Sequence, residues 1–184
     1  FTLGIKNIMQ ARRIVLVALL VVKSKQASQK KNAAKIKAKE ESFWDMVRKN
    51  VTGIIPETAG LDFVLAAGTK DVKASLNGYR RLQTGYDELP VYIIAYGGDE
   101  MYLTSVKCPS ARFMNPDASF ILHMTTQNVE KIDAGNRKAA IYLKNKQFIA
   151  MSVESRIISG IEQPEESRKF HEYLKAFIEK VNHD

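Results

Sequence analysis

Two short apolar runs, each followed by polar or glycine residues, mark the middle of the chain. Residues 91–95 (VYIIA) lead into Tyr96-Gly97-Gly98-Asp99-Glu100, and residues 120–122 (FIL) lead into His123. Apolar runs of this length predict β-strands. The polar residues at their ends are therefore the first candidates for a functional site, with a short helix expected after the glycine turn.

The spacing of apolar residues changes from that of a strand to that of a helix within residues 61–90. Residues 61–67 (LDFVLAA) predict another core strand, whereas Val72, Leu76, Tyr79 and Leu82 recur at helical spacing. Gly85 is expected to end that helix, and Pro90 to open the next strand. A strand, a helix and a strand within about 35 residues predict a right-handed crossover with parallel strand pairing.

Two helices are predicted after His123. Residues 129–159 carry apolar residues that can share one side of a long helix, ending at Gly160. A last helix starts near Pro164, followed by two glutamates in its first turn. The spacing of its apolar residues predicts an amphipathic helix that packs on the body or on another subunit. They are Phe170, Tyr173, Leu174, Phe177, Ile178 and Val181.

The N-terminal part has a different character. Residues 14–22 are apolar but too few to span a membrane, so they predict a buried strand, with a short signal-peptide core as the alternative. Residues 23–41 are rich in lysine and alanine and predict a solvated helix or a mobile arm. Phe43, Trp44, Met46 and Val47 are expected to anchor it to the body.

Charge and cysteine content narrow the function classes. The 184-residue chain carries a net charge of +8, but seven lysines lie between Lys23 and Lys39 without an acid among them. The basicity is therefore local, and no aromatic residues interleave it, so nucleic-acid binding is not expected. The single cysteine, Cys108, allows neither an internal disulfide nor a zinc thiolate cluster. We expect a reducing compartment such as the cytoplasm, no metal and no cofactor.

Three segments together resemble a known family. GTKDVKASLNGYRRLQ, PVYIIAYGGDEM and ARFMNPDASFILH are similar to the proteolytic subunit of the Clp protease and its crotonase-like relatives, over roughly residues 61–160. The resemblance implies an α/β spiral of repeated β-β-α units, with residues 129–159 as the long handle helix. It also implies an oligomer of like subunits. The chain then divides into an N-terminal strand and arm (1–50), a core (51–160) and a C-terminal helix (161–184).

The resemblance also assigns site residues. His123 takes the place of the catalytic histidine, and Glu100 stands where the family has its nucleophilic serine. A carboxylate cannot attack a carbonyl as an activated hydroxyl does. The implied oxyanion and substrate-binding residues are Gly68, Thr69, Lys70, Gly97, Gly98 and Met101. The triad's aspartate has no counterpart between Asp133 and Asp184, which leaves Glu162, Glu165 or Glu166.

Three functional hypotheses follow. The first is a catalytically impaired structural or scaffolding subunit of a protease-type oligomer, with extended peptides or an unfoldase as partners. The second is an active serine peptidase with a displaced nucleophile, Ser105 or Ser110. The third rests on residues 2–20 (TLGIKNIMQARRIVLVALL), which resemble a stretch of amino-sugar phosphate deaminases and isomerases.

Overall fold

The computed structural model describes residues 28–36, 38–70, 77–82, 90–110, 113–156 and 161–183, with backbone only for 107–110 and 113. The chain divides into two compact units, Phe1–Ser42 and Phe43–Asp184. In the first unit, helix α1 (28–36) and the start of helix α2 (38–52) are almost wholly exposed. These residues confirm the predicted solvated helix. The strand predicted for residues 14–22 lies outside the described residues.

The larger unit contains most of the strands and the last helix. A 3-10 turn, Pro56–Thr58, follows helix α2. The strands are β1 (Asp62–Gly68), β2 (Arg80–Arg81), β3 (Val91–Gly97), β4 (Glu100–Ser110), β5 (Phe113–Thr125), β6 (Val129–Ala134), β7 (Lys138–Leu143) and β8 (Gln147–Ser152). Helix α3 (Pro164–His183) closes the chain. The predicted strands at 61–67, 91–95 and 120–122 are confirmed by β1, β3 and β5.

The sheet is antiparallel, so the predicted parallel crossover is wrong. Its order is β5-β4-β3-β1-β8-β7-β6, with the short β2 alone pairing parallel, to β8. Strand β1 runs antiparallel to β3, with Phe63 opposite Ala95. Along both strands the side chains alternate between two buried clusters on opposite faces. Because both faces are covered, the apolar runs look continuous, as they do in parallel sheets.

The sheet is rolled, because its two end strands are joined directly. Strands β5 and β6 lie at opposite ends of the seven-strand order, yet only residues 126–128 separate them. Seven flat strands would span about 29 Å, whereas that connection reaches at most about 14 Å. The inner face encloses the larger core, which includes Val64, Ile94 and Leu103.

The predicted long helix over residues 129–159 is wrong, because this stretch forms β6, β7 and β8. Ile141 faces the inner core and Tyr142 faces the opposite side, and both are buried. Apolar residues on both faces hide the period of two, so the pattern also fits a helix. Two tight turns divide the segment, and in the second Lys146 has a φ of 63°. The handle helix and the β-β-α repeat implied by the family resemblance are therefore not found in the described residues.

The helix predicted around residues 72–85 is not found either in residues 77–82, the part of this range that the structure describes. Residues 77–78 form a turn, and Arg80 and Arg81 pair with Gln147 and Phe148 of β8. The glycine at 78 has a φ of 80°, which suits a turn and not a helix interior. Residues 71–76 and 83–89, including Gly85, lie outside the described residues.

Two helices flank the sheet, and the C-terminal one confirms the predicted amphipathic pattern. Phe170, Leu174 and Phe177 of α3 are buried in the inner core, where Phe170 packs edge-on against Tyr96 at a ring distance of 5.1 Å. On the opposite face, Trp44 and Val47 of α2 are buried in a second cluster. Each helix therefore covers one face of the sheet, as the alternating burial of β1 and β3 requires.

Candidate functional site

The structure brings together two residues that are 23 positions apart in the sequence. Glu100 begins β4 and His123 lies near the end of β5, where Tyr102 of β4 is opposite His123. Glu100 and Tyr102 point to the same face because they are two residues apart in a strand. The Nε2 atom of His123 lies 2.8 Å from Oε2 of Glu100.

Tyr102 completes this cluster. Its ring stacks on the imidazole of His123 with 4.2 Å between centroids and 5° between planes. Its hydroxyl donates a 3.1 Å hydrogen bond to the same Glu100 oxygen. Burial first, and then the hydrogen bond and charge of Glu100, raise the pKa of Tyr102 above its ordinary value, so it stays a neutral donor.

Backbone contacts hold the cluster in place. The side-chain amide of Asn128 donates to the carbonyl of His123 and accepts from the Thr125 N–H, both at 2.9 Å. The hydroxyl of Tyr173 on α3 donates to the carbonyl of Glu100 at 2.8 Å. Gly97 is the last residue of β3 and pairs with Glu100, and Gly98, with a φ of 56°, begins the two-residue connection to β4. The connection is a tight hairpin, so the short helix predicted after it is wrong.

The Glu100–His123 pair is open to solvent. The side chains of His123 and Glu100 are 44% and 37% exposed. A histidine oriented by a carboxylate can act as a general base, provided that a nucleophile or water lies within hydrogen-bond reach. The carboxylate beside His123 is that of Glu100. Glu162, Glu165 and Glu166, the residues considered for the triad's acid, make no contact with this ring.

Neither proposed serine nucleophile is placed at the histidine by the described residues. Ser105 is three residues from Tyr102 on β4, an odd spacing that turns it to the opposite face of the sheet. It is completely buried, and its hydroxyl has no hydrogen-bond partner among the described residues. Ser110 lies at the end of β4, and its side chain is outside the described residues.

The implied oxyanion residues also lie away from His123. Gly68, Thr69 and Lys70 are at the C-terminal end of β1, whereas the other end, Asp62, lies opposite Tyr96 near the Glu100 hairpin. Six residues of extended strand separate these ends by about 20 Å. Met101 points into the core with no exposed surface. The structure thus brings together Glu100 and His123, with Gly97 and Gly98 in the adjoining hairpin, but it keeps Gly68, Thr69 and Lys70 at the far end of β1.

An open concavity at that far end was not predicted from the sequence. It has a volume of about 560 Å³, and Thr69 and Lys70 form part of its wall. Small residues, among them Ala140 and Ala150, line it, and Lys138 and Asp133 add charge. The sequence pattern places both alanines on one side of a helix, whereas the structure places them on β7 and β8.

Comparison with known proteins does not assign this chain to a family. Neither the protein-family models nor the curated proteins match this chain. Within the described residues, no three His, Cys, Asp or Glu side chains are grouped to hold a metal ion. None of the described helices is long and apolar enough to cross a membrane. The residues behind the deaminase-like resemblance, 2–20, lie outside the described part of the chain.

Proposed function

We propose that this protein is a non-catalytic structural subunit that acts by assembling with other subunits. The observation that carries the proposal is the separation of Ser105 from His123. The serine hydroxyl is buried on one face of the sheet, and the histidine is exposed on the other. Acyl transfer needs the nucleophile and its base within about 3 Å of each other, so this pair cannot act together.

The Glu100–His123 pair has a structural role in this proposal. Glu100 takes the Nε2 side of the imidazole, and Tyr102 covers one ring face. The carboxylate fixes the ring near the turn that joins β5 to β6. Because both side chains are more than one third exposed, the pair contributes little to the free energy of unfolding, about 0–1 kcal/mol.

The resemblance of residues 61–160 to Clp proteolytic subunits supports the assembly part of the proposal. It suggests a protease-type oligomer, with extended peptides or an unfoldase as partners. The Clp and crotonase spiral is not carried over, because β1 and β3 pair antiparallel. We therefore propose the assembling role of the family for this chain, but not the family's fold.

Hydrolysis of a fluorogenic peptide and of an activated ester tests the proposal. We expect wild-type protein, His123→Ala and Ser105→Ala to give equal rates, no faster than buffer with an inert protein. A wild-type rate that falls by a hundredfold or more in His123→Ala would contradict the proposal, since losing a triad member costs several powers of ten. Far-UV circular dichroism of each variant serves as the folding control.

The second candidate is a serine hydrolase with Ser110 as nucleophile, and the accessible Glu100–His123 pair is the observation in its favour. The position of Ser110 weighs against it, because eight residues of β4 separate Ser110 from Tyr102, the residue opposite His123, and extended strand of that length spans about 25 Å. If such a hydrolase exists, Ser110→Ala abolishes hydrolysis while Ser105→Ala does not. Equal rates in both variants count against this candidate.

A further inference from the structure

Within the part of the chain that the structure describes, β5 ends the strand order and pairs with β4 on one side only, which leaves its outer edge unpaired. An unpaired strand edge presents N–H and C=O groups that can bond to another chain. The other end of the order is β6, and the two edges differ in how they are protected.

The bonds of Asn128 show which groups of β5 point outward. Its side chain bonds to the carbonyl of His123 and the N–H of Thr125, so these residues turn their backbone groups away from β4. Strand period places the N–H and C=O of Ile121 on the same side. At the other end of this window, Ser119 N–H donates to Asp117 Oδ1 at 3.0 Å. The open window is therefore short and centred on Ile121.

The side chains strengthen the contrast with β6. The β6 edge carries Glu130, Lys131 and Asp133 and has a register shift at its start, features that discourage strand addition. Residues 119–125 of β5 (SFILHMT) contain no lysine, arginine, acid or proline. Ile121 is 43% exposed, and among the described residues of the larger unit no other large hydrophobic side chain is classed as exposed.

We infer that β5 pairs with β5 of a second copy of this chain, antiparallel, around a two-fold axis at Ile121. This inference rests on the proposed assembling role, and it identifies β5 as the strand through which two copies make contact. In this pairing Ile121 N–H donates to the carbonyl of the partner's Ile121, and the reciprocal bond forms by symmetry. His123 lies opposite the partner's Ser119, and the two Ile121 side chains bury each other.

A second copy fits this edge better than an extended peptide does. The groups beyond the window are already bonded, to Asn128 at one end and Asp117 at the other. A peptide therefore gains few main-chain bonds. In a two-fold dimer each available bond forms twice, and two folded surfaces come into contact. Residues 119–123, which this pairing places at the axis, contain no lysine, arginine or acid, although each chain carries a net charge of +8.

Thiol cross-linking tests the position of the axis. Antiparallel partners that exchange both bonds have Cα atoms about 5.5 Å apart, within disulfide range. In a Cys108→Ser background, we expect Ile121→Cys to form a covalent dimer under mild oxidation. The matched control is Ile36→Cys, at the exposed large hydrophobic residue of the first unit. Equal cross-linking of the two variants would overturn the inference.

Sedimentation velocity across a range of protein concentrations tests the energetics. We expect a concentration-dependent dimer whose dissociation constant rises at least about tenfold in Ile121→Lys and is unchanged in Ile36→Lys. A wild-type monomer throughout, a dimer that Ile121→Lys leaves unchanged, or a monomer that binds an extended peptide would each overturn the inference. An oligomer insensitive to Ile121→Lys leaves the proposed function intact, while peptide hydrolysis refutes that function whatever the dimer does.

Discussion

The side chain of Gln163 pairs with the backbone of Leu65, 98 residues earlier, as a neighbouring strand would. Its Oε1 accepts from the Leu65 N–H at 2.9 Å, and its Nε2 donates to the Leu65 carbonyl at 2.8 Å. The same Nε2 donates to the carbonyl of Glu154 at 2.8 Å. β1 and β8 pair only at Ala67 and Gly68, so this buried amide completes the edge of β1 where β8 departs from it.

Replacing Gln163 should therefore destabilise the sheet strongly. Gln163→Ala leaves the two Leu65 groups unpaired, and we expect the free energy of unfolding to fall by about 3 kcal/mol. Gln163→Glu should cost at least as much, since an ionised carboxylate donates no hydrogen bond to either carbonyl. Urea denaturation measures both. The control, Gln147→Ala, removes an exposed contact with Asn145 and should change stability by less than about 0.5 kcal/mol. Equal losses at both positions would contradict this role.

Sequence patterns predict an element well when one face is exposed. Phe170, Leu174 and Phe177 recur at helical spacing among polar residues, and α3 forms as predicted. Residues 138–152 bury side chains on both faces of β7 and β8, so their alternation is hidden and the helix prediction fails. The Gln163–Leu65 pairing could not be predicted either, because no local pattern reports a contact over 98 residues.

Tyr96 and Tyr173 pack against each other but should respond oppositely to loss of their hydroxyls. The buried Tyr96 hydroxyl has no hydrogen-bond partner in the described part of the chain, whereas that of Tyr173 donates to the Glu100 carbonyl. Tyr96→Phe should leave stability unchanged or raise it by about 1 kcal/mol, and Tyr173→Phe should lower it by about 1 kcal/mol. Thermal unfolding at neutral pH measures both. A clear loss of stability in Tyr96→Phe would show that its hydroxyl has a partner.

Because of the same two tyrosines, we expect the folded protein to lose stability at alkaline pH. Burial is the main cause that raises the pKa of both in the folded protein, with Asp62 adding to it at Tyr96 and Asp99 at Tyr173. A raised folded pKa gives stability that is complete below the unfolded value of about 10 and is lost as pH rises beyond it. The melting temperature should fall above about pH 10, and less steeply in the Tyr96→Phe, Tyr173→Phe double variant. Parallel curves for the two proteins would contradict this linkage.

Two glycines that the family resemblance assigned to substrate binding have packing roles that can be separated. A Cβ atom on Gly68 would lie 2.8 Å from the ring of Pro90, whereas one on Gly97 would lie 2.9 Å from a terminal methyl of Leu61. The leucine can rotate away, but the proline ring cannot. Gly68→Ala should cost about 1–3 kcal/mol of stability, and Gly97→Ala less than about 1 kcal/mol. Chemical denaturation compares them, and the reverse order would show that Leu61 is the more rigid neighbour.

The candidate site was only partly predictable from sequence. The sequence pattern and the family resemblance both point to Glu100 and His123, and their 2.8 Å contact follows from the register of β4 and β5. Ser105 is a candidate only because it is close to Glu100 in sequence. Strand alternation turns it to the other face, and a resemblance in chain order cannot show which face a residue occupies.

If the protein is a non-catalytic subunit, neither Ser105 nor Ser110 is an activated nucleophile. Intact-mass analysis after reaction with a serine-directed fluorophosphonate, followed by peptide mapping, measures this at each serine. We predict no mass increase in folded protein, because Ser105 is buried and unactivated. Stoichiometric labelling of Ser105 or Ser110 that is lost in His123→Ala would refute the non-catalytic role and establish an active hydrolase.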